Sequence, residues 1–226
     1  MALHAVIQAG TLQNSGNQSA PGTSWSFSHT CEDQAARVVV ICIGARHTTA
    51  AGNTQVTAVS YGAVSCTFVG DGVNGGAGTT AVRSSVWICT TPVVGVNTVS
   101  VTMNAGPSQA MGTACTYWNV DQSTAQDVAA NTDNGATANE ALSITTATDR
   151  ALCIGSFMMN NNTGVAAASG QTELFDDGDG ANYELAVYNL AVLSPGSTPN
   201  NLTNGAAKWG YVIMALRPRR RKIRVA

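Results

Sequence analysis

The chain has 226 residues, 44% of them hydrophobic and only 11% charged, against about 25% charged in an ordinary soluble domain; global disorder, which needs high charge and few β-branched residues, is excluded. The longest apolar runs, such as residues 38–43, fall far short of the roughly 20 residues a spanning helix needs, so no membrane partner is expected. The net charge of −2 hides a split: Arg217, Arg219, Arg220, Arg221, Lys222 and Arg224 hold six of the 11 basic residues, and the mildly acidic remainder lacks the positive charge that phosphate neutralisation requires, so nucleic acid is not an expected partner.

In chain order, the first ten residues carry neither Lys nor Arg and no apolar core of signal-peptide length, so they do not read as a secretory signal. Residues 5–8 read as a short strand, and 1–23 as an arm or edge strand. Strands are predicted next at 24–29, 37–45, 55–61 and 64–69. Residues 38–43 are almost wholly apolar, as in a central strand buried on both faces. Glycines from Gly70 to Gly78 then suggest a turn with positive φ. Strands follow at 83–90, 98–103 and 110–120; in the second, Val99, Val101 and Met103 share one face. Residues 123–139 read as mostly loop. Further strands fall at 141–146, 151–159, 171–175, 183–192 and 209–216, separated by turn signals at 176–180 and by Pro195 and Pro199 within 194–201. No segment sustains a helical period. This spacing of short strands and turns predicts an all-β, two-sheet antiparallel β-sandwich forming one domain over 1–216, followed by a basic C-terminal arm, 217–226. Residues 37–44 and 150–155 are loosely similar; the match is too short to define a repeat and is what equivalent strands in two sheets would show.

The six cysteines, Cys31, Cys42, Cys66, Cys89, Cys115 and Cys153, form no CxxC pair and mostly sit in apolar runs. They read first as reduced core thiols, with disulfides as the alternative. His4, His29 and His47 show no ligand spacing, so no zinc site and no cofactor is expected. Asp176, Asp177 and Asp179 concentrate three carboxylates and form a weak cation candidate, although the calcium-loop pattern fails around them. Gly70-Asp71-Gly72-Val73-Asn74-Gly75 matches GxGxxG, but Gly76-Ala77-Gly78-Thr79-Thr80 directly after it does not start the helix that pyrophosphate binding needs. No catalytic motif occurs, and nothing in the sequence pairs Glu140, Glu173 and Glu184, so no enzymatic activity is expected. Trp25, Trp87, Trp118 and Trp209 read as core packing rather than as a sugar platform.

Several segments carry a resemblance. They are Val38-Val39-Val40-Ile41-Cys42-Ile43-Gly44-Ala45-Arg46, Val56-Thr57-Ala58-Val59-Ser60-Tyr61-Gly62, Trp87 with Pro92 and residues 95–102, Tyr117-Trp118-Asn119-Val120-Asp121-Gln122-Ser123-Thr124, and Trp209 through Pro218. In this order they resemble a jelly-roll-like β-sandwich domain recurrent in tailed-phage virion proteins and some bacterial surface proteins. The match spans roughly residues 24–218 and carries no catalytic residues. Asn119 stands where the family usually has Gly, and the basic extension is additional. The resemblance implies a structural virion protein, assembled in the host cytoplasm. The expected role is a capsid decoration or cement protein that binds the major capsid protein, or another virion protein, through loops and the basic arm. A homo-oligomer is expected, a trimer being one arrangement. The alternatives are a tail-fibre or receptor-binding module for cell-surface glycans and a carbohydrate-active enzyme on the same fold.

Overall fold

The structure, a computed structural model, describes residues 4–48, 55–75, 80–161 and 164–220. Among them there is no helix. The first half contains β1 (Gln8–Ala9), β2 (Gln13–Asn14), β3 (Gln18–Ser19), β4 (Ser24–Cys31), β5 (Val38–His47), β6 (Val56–Tyr61), β7 (Val64–Ser65), β8 (Thr67–Asn74), β9 (Ala81–Cys89), β10 (Gly95–Met103) and β11 (Gln109–Trp118). Successive long strands alternate between two sheets, except that β8 and β9 are neighbours in one of them. The outer sheet runs β4-β10-β6-β7, and the inner runs β11-β5-β9-β8 with β1, β2 and β3 along the free side of β11. This interleaving is jelly-roll order. Residues 8–19 are thus an edge strand in three short pieces. The β6–β7 hairpin turns on Gly62, whose φ of 58° suits a residue without Cβ.

The second half repeats the plan with β12 (Gln126–Gly135), β13 (Glu140–Thr146), β14 (Leu152–Met159), β15 (Ala166–Ala167), β16 (Thr172–Gly178), β17 (Glu184–Ala191), β18 (Gly196–Thr203) and β19 (Trp209–Leu216). Its inner sheet runs β12-β19-β14-β17-β16 and its outer sheet β13-β18-β15. Strand for strand, β19-β14-β17-β16 matches β11-β5-β9-β8, and β13-β18-β15 matches β4-β10-β6. The all-β antiparallel sandwich expected from the sequence is present, jelly-roll order included. It occurs twice, so the chain has four sheets where the sequence reading foresees two. The two similar segments, 37–44 and 150–155, lead into and fill β5 and β14, the equivalent strands of the two inner sheets.

The four sheets stack in one pile, and the residue pattern shows why. Along β5, Val39, Ile41, Ile43 and Ala45 face the outer sheet and meet Trp25, Phe27, Val99 and Val101. The intervening Val38, Val40 and Cys42 face the other way and meet Ile154, Val212 and Met214 of the second half. Along β19, Tyr211, Ile213 and Ala215 turn toward the second outer sheet with Phe157, while Val212, Met214 and Leu216 turn toward the first half. An inner strand is therefore apolar at consecutive positions because each face meets a different sheet. Where the inner sheets come closest, Gly72 and Gly210 touch backbone to backbone: a Cβ on Gly72 would overlap the Tyr211 main chain, and one on Gly210 would overlap Gly72. A buried hydroxyl pair, Ser84 with Ser156 at 2.8 Å, also joins the halves.

Three stretches depart from the sequence expectation. Residues 126–135, expected as loop, form β12, an edge strand on β19 whose side chains are largely polar and exposed. Residues 196–203, expected as a break, form β18. Its inward positions are Gly196, Thr198, Asn200 and Leu202, so the apolar alternation that marks a strand is missing. Pro199 is tolerated there because β15 pairs only with Leu202 and Thr203, leaving Pro199 a neighbour on one side alone. The GxGxxG segment is not a turn up to Asn74: Gly70 and Gly72 lie within β8, and their lack of side chains serves the close approach of the inner sheets. The expected turn at 176–180 begins later, since β16 continues to Gly178.

Candidate functional site

Both sandwiches present the same end to one side of the pile. Backbone bonds tie its loops together: Val120 N–H donates to Ala36 O at 3.0 Å, Asp121 N–H to Arg217 O at 2.8 Å, and Val192 N–H to Ala151 O at 2.9 Å. The basic arm starts on this end, and its first residues are held by the body. Arg217 N–H donates to Ala125 O (2.8 Å), Arg219 N–H to Asn119 O (2.8 Å), and Ala5 N–H to Arg219 O (3.0 Å). Val120 with Pro218 and His4 with Arg220 form antiparallel bridges. Residues 217–220 thus run as a short added strand between the N-terminal segment and the connection that joins the two sandwiches.

The Arg217 side chain anchors this strand. Its Nε donates to Asp127 Oδ1 at 3.2 Å and its Nη2 to Asp127 O at 3.0 Å. Asp127 is buried and also accepts from Ala147 N–H (2.7 Å), Thr148 N–H (3.1 Å) and the Thr148 hydroxyl. Burial pushes its carboxyl up, but these hydrogen bonds outweigh it and hold the group below the usual carboxylate range. Nearby, His4 Nδ1 pairs with Asp149, and Arg150 donates to His4 O at 3.0 Å. Asn119 sits at φ 65°, in the left-handed region, and its Nδ2 donates to Val6 O at 2.9 Å. Asn tolerates this conformation better than other residues with a Cβ, which accounts for its place where the resembled family usually has Gly.

Of the six cations expected to bind a partner, Arg217 is spent on Asp127. Arg219 and Arg220 are exposed on the end surface. Arg221, Lys222 and Arg224 lie outside the described residues. Beside the arm is a polar cleft of about 630 Å³ lined by His4, Asp121, Ser123, Asp149, Arg217 and Arg220. A second groove of about 240 Å³ is more apolar, with Val6, Ile7, Leu152, Val192 and Leu193 around it. Leu193 is 85% exposed and Val96 73%, and Val6, Val93 and Val94 are exposed as well. Val6 and Leu193 share this apolar groove, while Val93 and Val94 belong to the β9–β10 connection, whose residues 90–92 line a small cleft with Ala36 and Gln122.

The other candidates resolve into structural roles. Asp179 Oδ1 accepts from the N–H groups of Ala181, Asn182 and Tyr183, and Oδ2 from Asn182 Nδ2 and Gln109 Nε2. Burial raises its carboxyl, yet these donors bring it down to about 2. Asp177 accepts from Gly178 N–H, and Asp176 pairs with Glu184. The three carboxylates thus serve three separate partner sets, and among the described residues no group of three His, Cys, Asp or Glu side chains is placed to hold a metal ion. Sequence reasoning missed the Asp176–Glu184 pair because the two acids meet across β16 and β17, eight positions apart. Glu184 is buried, accepts from Gly164 N–H (3.1 Å) and Val165 N–H (2.7 Å), and is pushed up to about 8 by burial and then by Asp176.

His29 is fully buried, with Nδ1 3.2 Å from the Tyr61 hydroxyl; burial pushes it down to about 4, against a weaker upward pull from Glu32. His47 Nε2 lies 2.7 Å from Gly106 O. Trp25 stacks on Phe27 at 5.8 Å, Trp209 on Phe157 at 5.8 Å, and Trp87 meets Phe68 edge-on at 5.2 Å. These three tryptophans are core residues. Trp118 is half-buried and its Nε1 donates to Gln8. Compared with known proteins, the chain matches no family model and no curated relative.

Proposed function

We propose that this chain is a structural virion protein of a tailed phage, a capsid decoration or cement protein that docks on the shell through the end carrying its basic arm. The carrying observation is the construction of that end. Arg217 and the backbone ladder at 217–220 root the arm on the body, Arg219 and Arg220 stand exposed there, and Val6 and Leu193 line an apolar groove at the same end. Exposed apolar side chains gathered near cations suit a partner surface with an apolar centre and an acidic rim. The order of sequence segments that resembles virion domains supplies the context, and the low charge content of the body agrees with a protein that spends its surface on neighbours. The glycan-binding reading gains no support from the tryptophans, three of which are occupied in the core.

The test uses purified particles that lack the protein. The full chain should bind at a copy number comparable with that of the major shell protein. A chain ending at Arg220, which keeps every described contact of the body, should bind at least tenfold more weakly, as should Arg219→Glu with Arg220→Glu. Equal binding by these variants overturns the arm as the latch. A copy number confined to one vertex moves the protein to the tail and favours receptor binding.

A further inference from the structure

Cys66 and Cys89 belong to no role described above, and the strand register brings them together. Thr67, the first residue of β8, lies opposite Ile88 in the antiparallel β8–β9 pair, and Cys66 and Cys89 are the residues that flank this pair on its outer side. Directly opposed residues in such a pair have Cα atoms about 4.5–5.5 Å apart, inside the roughly 4.4–6.8 Å span of a disulfide. Cys89 lies in the core of the first sandwich and Cys66 packs against that core, and the two thiols are near enough to perturb each other, Cys66 being pushed up and Cys89 down. Cys89 is buried and Cys66 is half-buried. The chain bends at Cys66 from the outer sheet to the inner one: its N–H donates to Val59 O at 2.9 Å, while the next residue begins β8. Cys66 is therefore the thiol a solvent oxidant can reach, and Cys89 the one behind it.

The remaining cysteines lack this arrangement. Cys42, Cys115 and Cys153 lie on inner strands within other faces of the core. Cys31 shares the core with Cys89, but its thiol is turned to Glu32 O at 3.7 Å.

We infer that Cys66 and Cys89 form an oxidation site, at which a small-molecule disulfide such as oxidised glutathione converts the thiol pair into a cross-strand disulfide. In the first step the Cys66 sulfur attacks one sulfur of the oxidant. The oxidant's S–S bond breaks, and one small thiol leaves with the Cys66 proton. In the second step the Cys89 sulfur attacks Cys66 in the mixed disulfide, and the second small thiol leaves with the Cys89 proton. Two protein thiols are oxidised by two electrons and one small disulfide is reduced to two thiols. The new bond ties the end of β9 to the bend that joins the inner and outer sheets.

The experiment treats the folded full-length chain with oxidised glutathione, counts free thiols after unfolding, and maps peptides without reduction. Two of the six thiols should be lost, in one linked peptide pair containing Cys66 and Cys89. Cys66→Ser, at the half-buried position, should keep the parent's circular dichroism and abolish that loss, whereas Cys42→Ser should not. Retention of all six thiols in the parent, a linkage through Cys31, or accumulation of a glutathione adduct on Cys66 without linkage would each overturn the inference.

Discussion

The two sandwiches share a topology and differ in what fills them. The first is packed mainly by apolar and aromatic side chains, and its buried polar groups include His29 with Tyr61, Thr116, and Arg83 paired with Asp71. The second is threaded by hydrogen bonds. Tyr211 Oη donates to Asn200 O (3.0 Å) and reaches Asn200 Oδ1 (2.9 Å), Gln171 donates to Asn200, Tyr188 Oη donates to Val165 O (3.0 Å), and Glu184 accepts from residues 164 and 165. One strand plan is therefore compatible with two core chemistries, provided each buried polar group finds its partner. The inner sheets, pressed together, have less latitude: both are apolar where they meet, and glycine appears where backbones touch.

The sharpest way to separate the two halves is pH, because their buried titratable groups have opposite sign. His29 is held down to about 4 in the fold against about 6.5 unfolded. The unfolded chain gains a proton first as pH falls, so the stability that His29 contributes should drop between pH 6.5 and 4, by on the order of 3 kcal/mol. Glu184 is held up to about 8 against about 4.3 unfolded. Its contribution is complete at low pH, declines once the unfolded carboxyl ionises, and is gone above about pH 8. In denaturant midpoints of the parent the two slopes cancel between about pH 4.3 and 6.5, and only the decline towards pH 8 remains. Glu184→Gln should remove that decline and uncover the acid limb, whereas His29→Phe should lengthen the decline so that it runs from about pH 4.3 to 8. A variant that flattens the other half's limb would break the assignment.

A smaller effect addresses the hydrogen-bonded core directly. Tyr211→Phe leaves Asn200 short of a donor in a fully buried place and should cost about 1–3 kcal/mol in equilibrium unfolding. A cost near zero would mean that the network in the second sandwich carries little of its stability. The smallest effect concerns the joint between the halves. Asn119→Ala keeps a Cβ at positive φ and removes the bond to Val6 O, and should cost about 1 kcal/mol, whereas Asn119→Gly should be nearly neutral. Equal costs would show that the Val6 bond, and not the backbone conformation, sets the preference.

The same difference governs how much could be read from the chain. The first sandwich announces itself: β4 alternates Trp25, Phe27, His29 and Cys31 against Ser and Thr, and β5 is apolar throughout. In the second, β12 is an edge strand of Asp, Asn and Thr, and β18 points Asn200 and Thr198 inward, so neither carries the hydrophobic period of a strand. The duplication is visible in the sequence only as a short likeness between the segments that become β5 and β14, since the repeats agree in topology and not in side chains. At the candidate site, the arm's cations are evident as a charge run. The partners of its root, Asp127 and the 119–121 connection, come from distant positions and need the folded chain to be seen.

The stacking of the inner sheets has a consequence for synthesis. The first sandwich leaves the ribosome with Val38, Val40, Cys42, Val86 and Ile88 on a face that only the second can cover. Until Leu152, Ile154, Val212 and Met214 arrive, that face is adhesive, and a nascent chain stalled at this stage is a target for chaperones or for aggregation. The ladder at 217–220 closes last, since it needs the N-terminal segment, the connecting loop and the end of β19 in place together. Release of the arm's root into its docked position is thus a marker of a finished fold, and chains caught half-made do not present it.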